Sequence, residues 1–492
     1  MKLIGRIALG LLGLVILLAA VVVVRTLTYK PNAGADLSKV KLAPAVAIDT
    51  AKAAEHLSQS IQFQTVSNQD KADNQTSEWD KLHAWLQTTY PAAHAAMTRE
   101  VVAGHTLVYT WAGSDPALAP VVLMAHQDVV PVTPGTEDDW KHPPFGGVIA
   151  EGAVWGRGAI DDKGSLVTLF EGVEALAQQG YKPKRTLILV SGHDEEAGGA
   201  GAQAVAELFK SRGIKAQFVL DEGMAIISDN PLTGGQVALV GIAEKGYATL
   251  MVTAEAVGGH SSAPPADSGG VLTLARAVTK IAEDQAPMKL DGPGGMMMET
   301  LAPQGSFMIR MAMANRWLFE PLIIKQAAAT PSGAALLHTT TAPTMLKGSP
   351  KENVLPQDAT AWINYRIAPG DSSAGVLARA KAAVGALPVT FAWSRKPNEP
   401  SPVSSTTSEA WKMVAALAGD TAKAPVAPSL VTAGTDSRYL VGVADDVYRF
   451  QPMVFSLETI KMIHGTNEHM SLENLDRAVQ FYARLIATST AG

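Results

Sequence analysis

At 492 residues the chain is longer than one hydrophobic core organises, so more than one domain is expected. A net charge of −6, with no basic patch interleaved with aromatics, speaks against nucleic acid as a partner. The absence of cysteine excludes disulfides and thiolate metal sites, so any metal must be held by His, Asp and Glu.

In chain order, the first feature is an uncharged apolar run over residues 7–24 behind Lys2 and Arg6. As a helix it reaches about 27 Å, close to the roughly 30 Å of a bilayer core. The run ends in four valines and Arg25, a poor cleavage site, so residues 1–25 read as an uncleaved membrane anchor rather than a removed signal. Lys2 and Arg6 favour a cytoplasmic N-terminus, which Arg25 and Lys30 partly oppose. The rest of the chain is then expected outside the cytoplasm. Residues 26–47, with Pro31, Gly34 and Pro44, read as a linker. Ala54, Leu57 and Ile61, then Trp79, Leu82, Trp85 and Leu86, recur at helical spacing.

Strand-like runs follow, each ending in polar residues: 121–125 before His126, 186–190 before the 193–196 stretch, and 218–220 before Asp221. Helical segments at 164–179 and 201–211 lie between them. Strands alternating with helices predict a largely parallel sheet, and such sheets bind ligands beyond the carboxyl ends of their strands. The charged groups sit at those ends. His126 and Asp128 are compatible with a metal ligand and its orienting carboxylate, or with a structural strand-end histidine. Asp161-Asp162 opens a helix and is equally compatible with capping. Glu195-Glu196 is harder to explain as a solvated turn; a ligand beside a general base would account for the pair.

After Gly246 the pattern changes. Strands at 248–255, 339–346, 359–367 and 389–393 and helices at 271–282 and 373–384 give the order βαββαβ, a ferredoxin-like α+β unit interrupting the first domain. The predicted division is therefore 48–246 and 397–492 for the main α/β domain and 247–396 for the smaller one. An insertion is expected at 287–334, where Met296–Met298 and Trp317, Leu318 and Phe319 are compatible with an apolar binding surface or with core packing. The chain closes with polar loops at 434–438 and 463–468 and an amphipathic helix at 472–488.

Six words now stand in order: His126-Gln-Asp128, Gly156-Arg-Gly-Ala-Ile-Asp-Asp-Lys-Gly164, Glu195-Glu196, Asp221-Glu-Gly223, Gly259-His-Ser-Ser262 and His464-Gly-Thr-Asn-Glu468. In that order the sequence resembles the M20 family of metallopeptidases. Asn315-Arg-Trp-Leu-Phe-Glu-Pro-Leu322 and Gly434-Thr-Asp-Ser-Arg438 resemble its branch of carboxypeptidase S and PM20D1, the N-acyl-amino-acid hydrolases.

The resemblance implies two zinc ions per chain. Asp161 would bridge them, His126 and Asp221 would complete one ion, and Glu196 and His464 the other. Asp221 is preferred over its neighbour Glu222 because it directly follows the 218–220 strand. Glu195 would be the general base, Asp128 would orient His126, and His260 of the smaller domain would steady the oxyanion, in one version across a homodimer. Arg438 and Asn353 would touch substrate, with Arg366 a rival arginine. The expected reaction is hydrolysis of an amide bond that releases a C-terminal amino acid, with a free α-carboxylate, from a peptide or N-acyl-amino acid. A membrane-tethered binding protein without catalysis and a di-metal hydrolase of another bond are the alternatives.

Overall fold

The computed structural model describes residues 2–31, 35–266 and 269–491; Gly34 of the expected linker lies outside them. A ten-stranded sheet organises the main body. At its centre Val121–His126 runs parallel to both Leu187–Gly192 and Ala216–Asp221, and Ala216–Asp221 runs parallel to Ala444–Arg449. Every residue of Val121–His126 and Leu187–Gly192 is buried, as a sheet covered by helices on both faces requires. Lys163–Gln178, Glu409–Ala422 and Leu472–Ser489 pack one face through Leu166, Phe170, Trp411 and Phe481. Ala200–Ser211 packs the other through Val205 and Phe209. The α/β expectation with a mainly parallel sheet therefore holds.

Several strands escape the sequence pattern. The hairpin Thr98–Val102 and Thr106–Trp111 forms one antiparallel edge, its outer strand largely exposed. Val237–Glu244 is buried along its whole length and pairs with Val426–Val431. A run that is almost wholly apolar carries no period-two signal that would set it off from its surroundings.

The smaller sheet holds Gly246–Glu255, Thr340–Lys347, Asp358–Ile367 and Thr390–Trp393, all antiparallel. Helices Gly270–Glu283 and Ser373–Val384 complete the βαββαβ order, and a separate apolar cluster around Leu250, Ile281 and Ile363 forms its core. Helices Pro293–Leu301, Phe307–Ala314, Arg316–Ala327 and Pro331–Ala335 occupy the sequence between the first helix and second strand. They pack elsewhere: Leu290, Met297, Met298 and Leu301 join Ile227, Val237, Leu239 and Ala427 of the large sheet. The methionine run is thus largely core, whereas Trp317 and Leu318 are exposed.

The N-terminal helix runs Lys2–Leu27, and its 25-residue stretch Leu3–Leu27 is long and apolar enough to cross a membrane. Residues 40–49 form no regular element and are tied to the last helix: Val46 N donates to Gln480 Oε1 and Arg484 Nε donates to the Ala43 carbonyl.

Candidate active site

Three parallel strands end side by side, and the residues just past their ends face one another. His126 is the last residue of its strand and is 2 % exposed. Its Nδ1 lies 2.9 Å from the Asp128 backbone carbonyl and 3.4 Å from Asp128 Oδ1, which orients the ring. Its Nε2 lies 2.9 Å from Asp161 Oδ1. The Asp128 carboxylate does a second job: it accepts hydrogen bonds from the backbone N–H groups of Glu195 and Glu196, both at 3.1 Å. Asp194 accepts from Ala200 N and Gly201 N and closes the turn that carries the two glutamates. That turn needs glycine at 199, where φ is +68° and a Cβ would sit 2.2 Å from Asp436 Oδ1.

Asp161 is gripped from both sides. Its second oxygen lies 3.0 Å from His464 Nε2, and the same nitrogen is 3.1 Å from Glu196 Oε1. The Asp161 N–H donates to Glu468 Oε1, and Glu468 Oε2 pairs with Arg157 at 2.8 Å, an ion pair fully buried on both sides. Arg157 also donates to the carbonyls of His464 and Gly465. Those contacts hold His464 at φ +60°, a left-handed conformation that a side chain adopts only at a cost. Glu468 and Arg157 belong to two of the motifs, but their pairing across 311 residues leaves no spacing signal in the sequence.

The Asp161-Asp162 pair does not cap its helix. Asp162 precedes Lys163–Gln178 without a side-chain capping bond; its oxygens accept from His126 N and from Gln451 Nε2. Burial pushes its carboxyl up to about 8, with Asp161 and Asp221 adding to the effect. Burial also opposes charge on Asp161, but contact with His126 and His464 overcomes it and holds that carboxyl well below the usual range.

Asp221 Oδ1 accepts from the N–H of Glu222 and Oδ2 from Ser437 N at 2.8 Å, which ties this carboxylate to the 435–437 loop. Burial raises the Glu222 carboxyl well above its ordinary value, and the charges of Asp161, Asp162 and Glu195 raise it further. Glu195 is raised well above its ordinary value by burial first, then by Asp436 and Glu196.

Arg438 Nη2 stands 3.4 Å from Glu195 Oε1 while its Nε donates to the Thr435 carbonyl at 2.7 Å. Arg366 lies over the Tyr247 ring, and burial first, with the Arg438 charge adding to it, lowers its proton affinity. His260 and Asn353 meet instead on a short, largely exposed two-stranded ribbon: Gly259–His260 pairs with Val354–Leu355 from far along the chain, and Ser261 N donates to the Asn353 carbonyl. Among the described residues no hydrogen bond or ion pair joins either side chain to the group around Asp161.

Chemically the group calls for a cation. His126, Asp161 and Glu196 bring ligand atoms within 4.8 Å of one another. Carboxylates this close repel unless a positive charge lies between them, and a carboxylate facing a different imidazole through each oxygen suits a bridging role. Nitrogen and oxygen donors without sulfur fit a borderline divalent ion.

Comparison with known proteins agrees. The family model described as Peptidase family M20/M25/M40 matches residues 122–488. The sequence is 36% identical over 440 residues to the probable carboxypeptidase S-like 2 of Dictyostelium discoideum, covering 88% of this chain and 84% of that protein. It is 35% identical over 489 residues to the N-fatty-acyl-amino acid synthase/hydrolase PM20D1 of Xenopus tropicalis, covering 97% and 94%. Among solved structures, the M20 family metallo-carboxypeptidase Sso-CP2 from Sulfolobus solfataricus superposes with a TM-score of 0.65 at 16% identity, covering 88% and 98%. Human carnosine dipeptidase 1 superposes at 0.62 and 14%, covering 90% and 96%.

Proposed function

The chain belongs to peptidase family M20/M25/M40, and we propose from that premise that it hydrolyses the amide bond of N-acyl-amino acids or peptides to release an amino acid with a free α-carboxylate. The observation that carries this reading is the Asp161 carboxylate with His126 at one oxygen and His464 at the other. The proposed resident group is a pair of zinc ions. His126, Asp161 and Glu222 would hold one and Asp161, Glu196 and His464 the other; the two backbone N–H groups already bonded to the Asp221 carboxylate support Glu222 over Asp221. When bound, such ions supply Lewis acidity that favours hydroxide over water near neutral pH and offsets charge on a carbonyl oxygen.

The chain's own groups do the rest. Glu195 takes the proton of the attacking water at a carboxylate oxygen and later delivers it to the leaving nitrogen. Its raised proton affinity, from burial and neighbouring carboxylates, suits a group that must hold a proton between those two events. Arg438, beside Glu195, grips the substrate α-carboxylate with its planar fork, and Arg366 adds positive charge from the smaller sheet. His260 would act on the carbonyl oxygen only after the smaller domain closes or a second copy supplies it, since its ribbon is exposed. The N-terminal helix is proposed to anchor the chain with its body outside the cytoplasm.

The test is an assay of N-acyl-amino acids, their amides and a phosphoester, with and without chelator. Cleavage of the free acids is expected and should be lost with the metal. Arg438→Ala should lower kcat/KM for the acids by about 10–10²-fold and leave the poor activity on amides unchanged. Equal wild-type rates on acids and amides would reject carboxylate recognition; preference for the phosphoester would reject the reaction class.

A further inference from the structure

The last turns of the N-terminal helix are not free. Val22 is 8 % exposed and Thr26 1 %, although residues 3–21 are exposed on all sides. The fully buried Asn315 donates from Nδ2 to the Val22 carbonyl and to Thr26 Oγ1, both at 3.3 Å. Arg25 Nε donates to the Ala314 carbonyl at 3.2 Å, and Tyr29 OH to the Glu299 carbonyl. The apolar helix therefore leaves the body at one fixed place, beside residue 315.

The helix Arg316–Ala327 starts at the next residue and contains no buried residue. Trp317, Leu318 and Leu322 are 58 %, 40 % and 59 % exposed. On the preceding helix, Phe307–Ala314, Phe307 is 49 % and Met308 63 % exposed. Single exposed apolar residues are ordinary, but large ones gathered on two consecutive helices mark an interaction surface. Arg316 and Lys325 flank them on the same helix. Tryptophan, long aliphatics and cations together are the composition of a helix lying at the boundary of headgroups and acyl chains.

We infer that the helices Phe307–Ala314 and Arg316–Ala327 rest on a lipid bilayer, immersing Phe307, Met308, Trp317, Leu318 and Leu322 in the leaflet beside the N-terminal helix. The inference rests on reading that helix as a membrane span. The position of the surface argues for lipid as the occupant: if residues 3–21 lie in a bilayer, its boundary falls next to Asn315 and hence next to Trp317. The contact would also orient the active site. The insertion is welded to the large sheet through Met297, Met298 and Leu301, and the same cluster includes Met224, two residues past Glu222. Its neighbour Val426–Val431 leads directly into the loop of Arg438. A substrate whose acyl tail partitions into the leaflet and whose carboxylate stays at the surface would then meet the site without leaving the membrane.

Because the chain has no cysteine, single labels report cleanly. Full-length Met308→Cys, Trp317→Cys and Leu322→Cys are spin-labelled in liposomes, with Leu14→Cys inside the apolar helix and Val101→Cys on the opposite edge of the large sheet. Unchanged turnover of a short-chain acyl-amino acid certifies each fold. Collision with oxygen should exceed collision with a water-soluble nickel chelate at 308, 317 and 322, at a depth of about 5–10 Å, and more so at 14, while 101 reads as aqueous. Lipid at 14 with water at 317 and 322 overturns the inference and leaves the span intact. Water at 14 overturns the span reading and the inference with it. Spin–spin broadening at 317 and 322 without lipid contact assigns the surface to a second copy and also overturns it.

Discussion

The residues around Asp161 and the ribbon of His260 and Asn353 stand in opposite physical conditions. His126, Asp128 and Glu468 are buried, and each is fixed by at least one hydrogen bond to a backbone group or a partner side chain. His260 is exposed, and among the described residues its ring is hydrogen-bonded within its own loop, to Ser262. A parallel sheet delivers the first set, because adjacent strands ending at the same level place their next residues within ligand distance whether or not substrate is present. Gly259–His260 and Val354–Leu355 form a two-stranded sheet of their own, apart from the four-stranded one, and His260 would reach the first set by motion or through another copy. Preorganised groups should therefore fail by losing chemistry or stability, and the ribbon by losing turnover alone.

The largest effect tests the preorganised set. Glu195→Gln keeps the side chain's shape and removes its basicity. Turnover should fall by roughly 10²–10⁴, with metal content and melting temperature unchanged. Near-normal turnover would move the base elsewhere.

Next comes the frame under Asp161. Glu468→Ala leaves Arg157 buried and unpaired, and breaking such a pair costs about 3–5 kcal/mol. Denaturant unfolding should show that loss, and the N–H of Asp161 loses its acceptor at the same time. A loss below about 1 kcal/mol, the scale of an exposed pair, would mean that water enters the site freely.

How legible each region was follows from the same contrast. The strand-end residues His126 and Asp221 could be read because each directly follows an apolar run, and Glu195 because it lies in the polar stretch just past one; a run's end predicts a position. The sheet order and the βαββαβ unit followed from alternating patterns. Three things lay beyond the pattern. The buried partnership of Arg157 and Glu468 links residues 311 apart. The packing of the 287–334 segment on the large sheet reverses the side suggested by its place in sequence. The choice between Asp221 and Glu222 depends on which way two consecutive side chains turn, and the bond that Asp221 accepts from Ser437 N comes from another part of the chain, outside any local pattern.

The ribbon supplies the third prediction. If His260 steadies an oxyanion, His260→Ala should lower kcat by about 10²–10³ with unchanged stability, because nothing buried depends on it. Mixing this variant with Glu195→Gln distinguishes closure from exchange between copies. Recovered activity in the mixture means that one copy completes the site of another; none means that the smaller domain closes on its own site.

The smallest effect makes the finest cut, between two adjacent carboxylates. Asp221 already has a hydrogen bond from the Glu222 N–H at 2.9 Å on one oxygen and from Ser437 N at 2.8 Å on the other. Bonds to a charged acceptor contribute about 1.5–3 kcal/mol. An asparagine keeps one acceptor oxygen and turns the other into a donor that faces an N–H. Asp221→Asn should therefore cost about that much stability and loosen the 435–438 loop, seen as a higher KM for acyl-amino acids through Arg438, while the metal stays. Glu222→Gln should do the reverse. Among the described residues no hydrogen bond ties its carboxyl to the loop; burial first, and then the charges of Asp161, Asp162 and Glu195, oppose its ionisation until a cation is present. Removing that charge relieves repulsion in the metal-free chain, so stability without metal should hold or rise while zinc content falls. Elemental analysis and unfolding on the two variants separate the assignments, and metal lost from Asp221→Asn but kept by Glu222→Gln would restore Asp221 as the ligand.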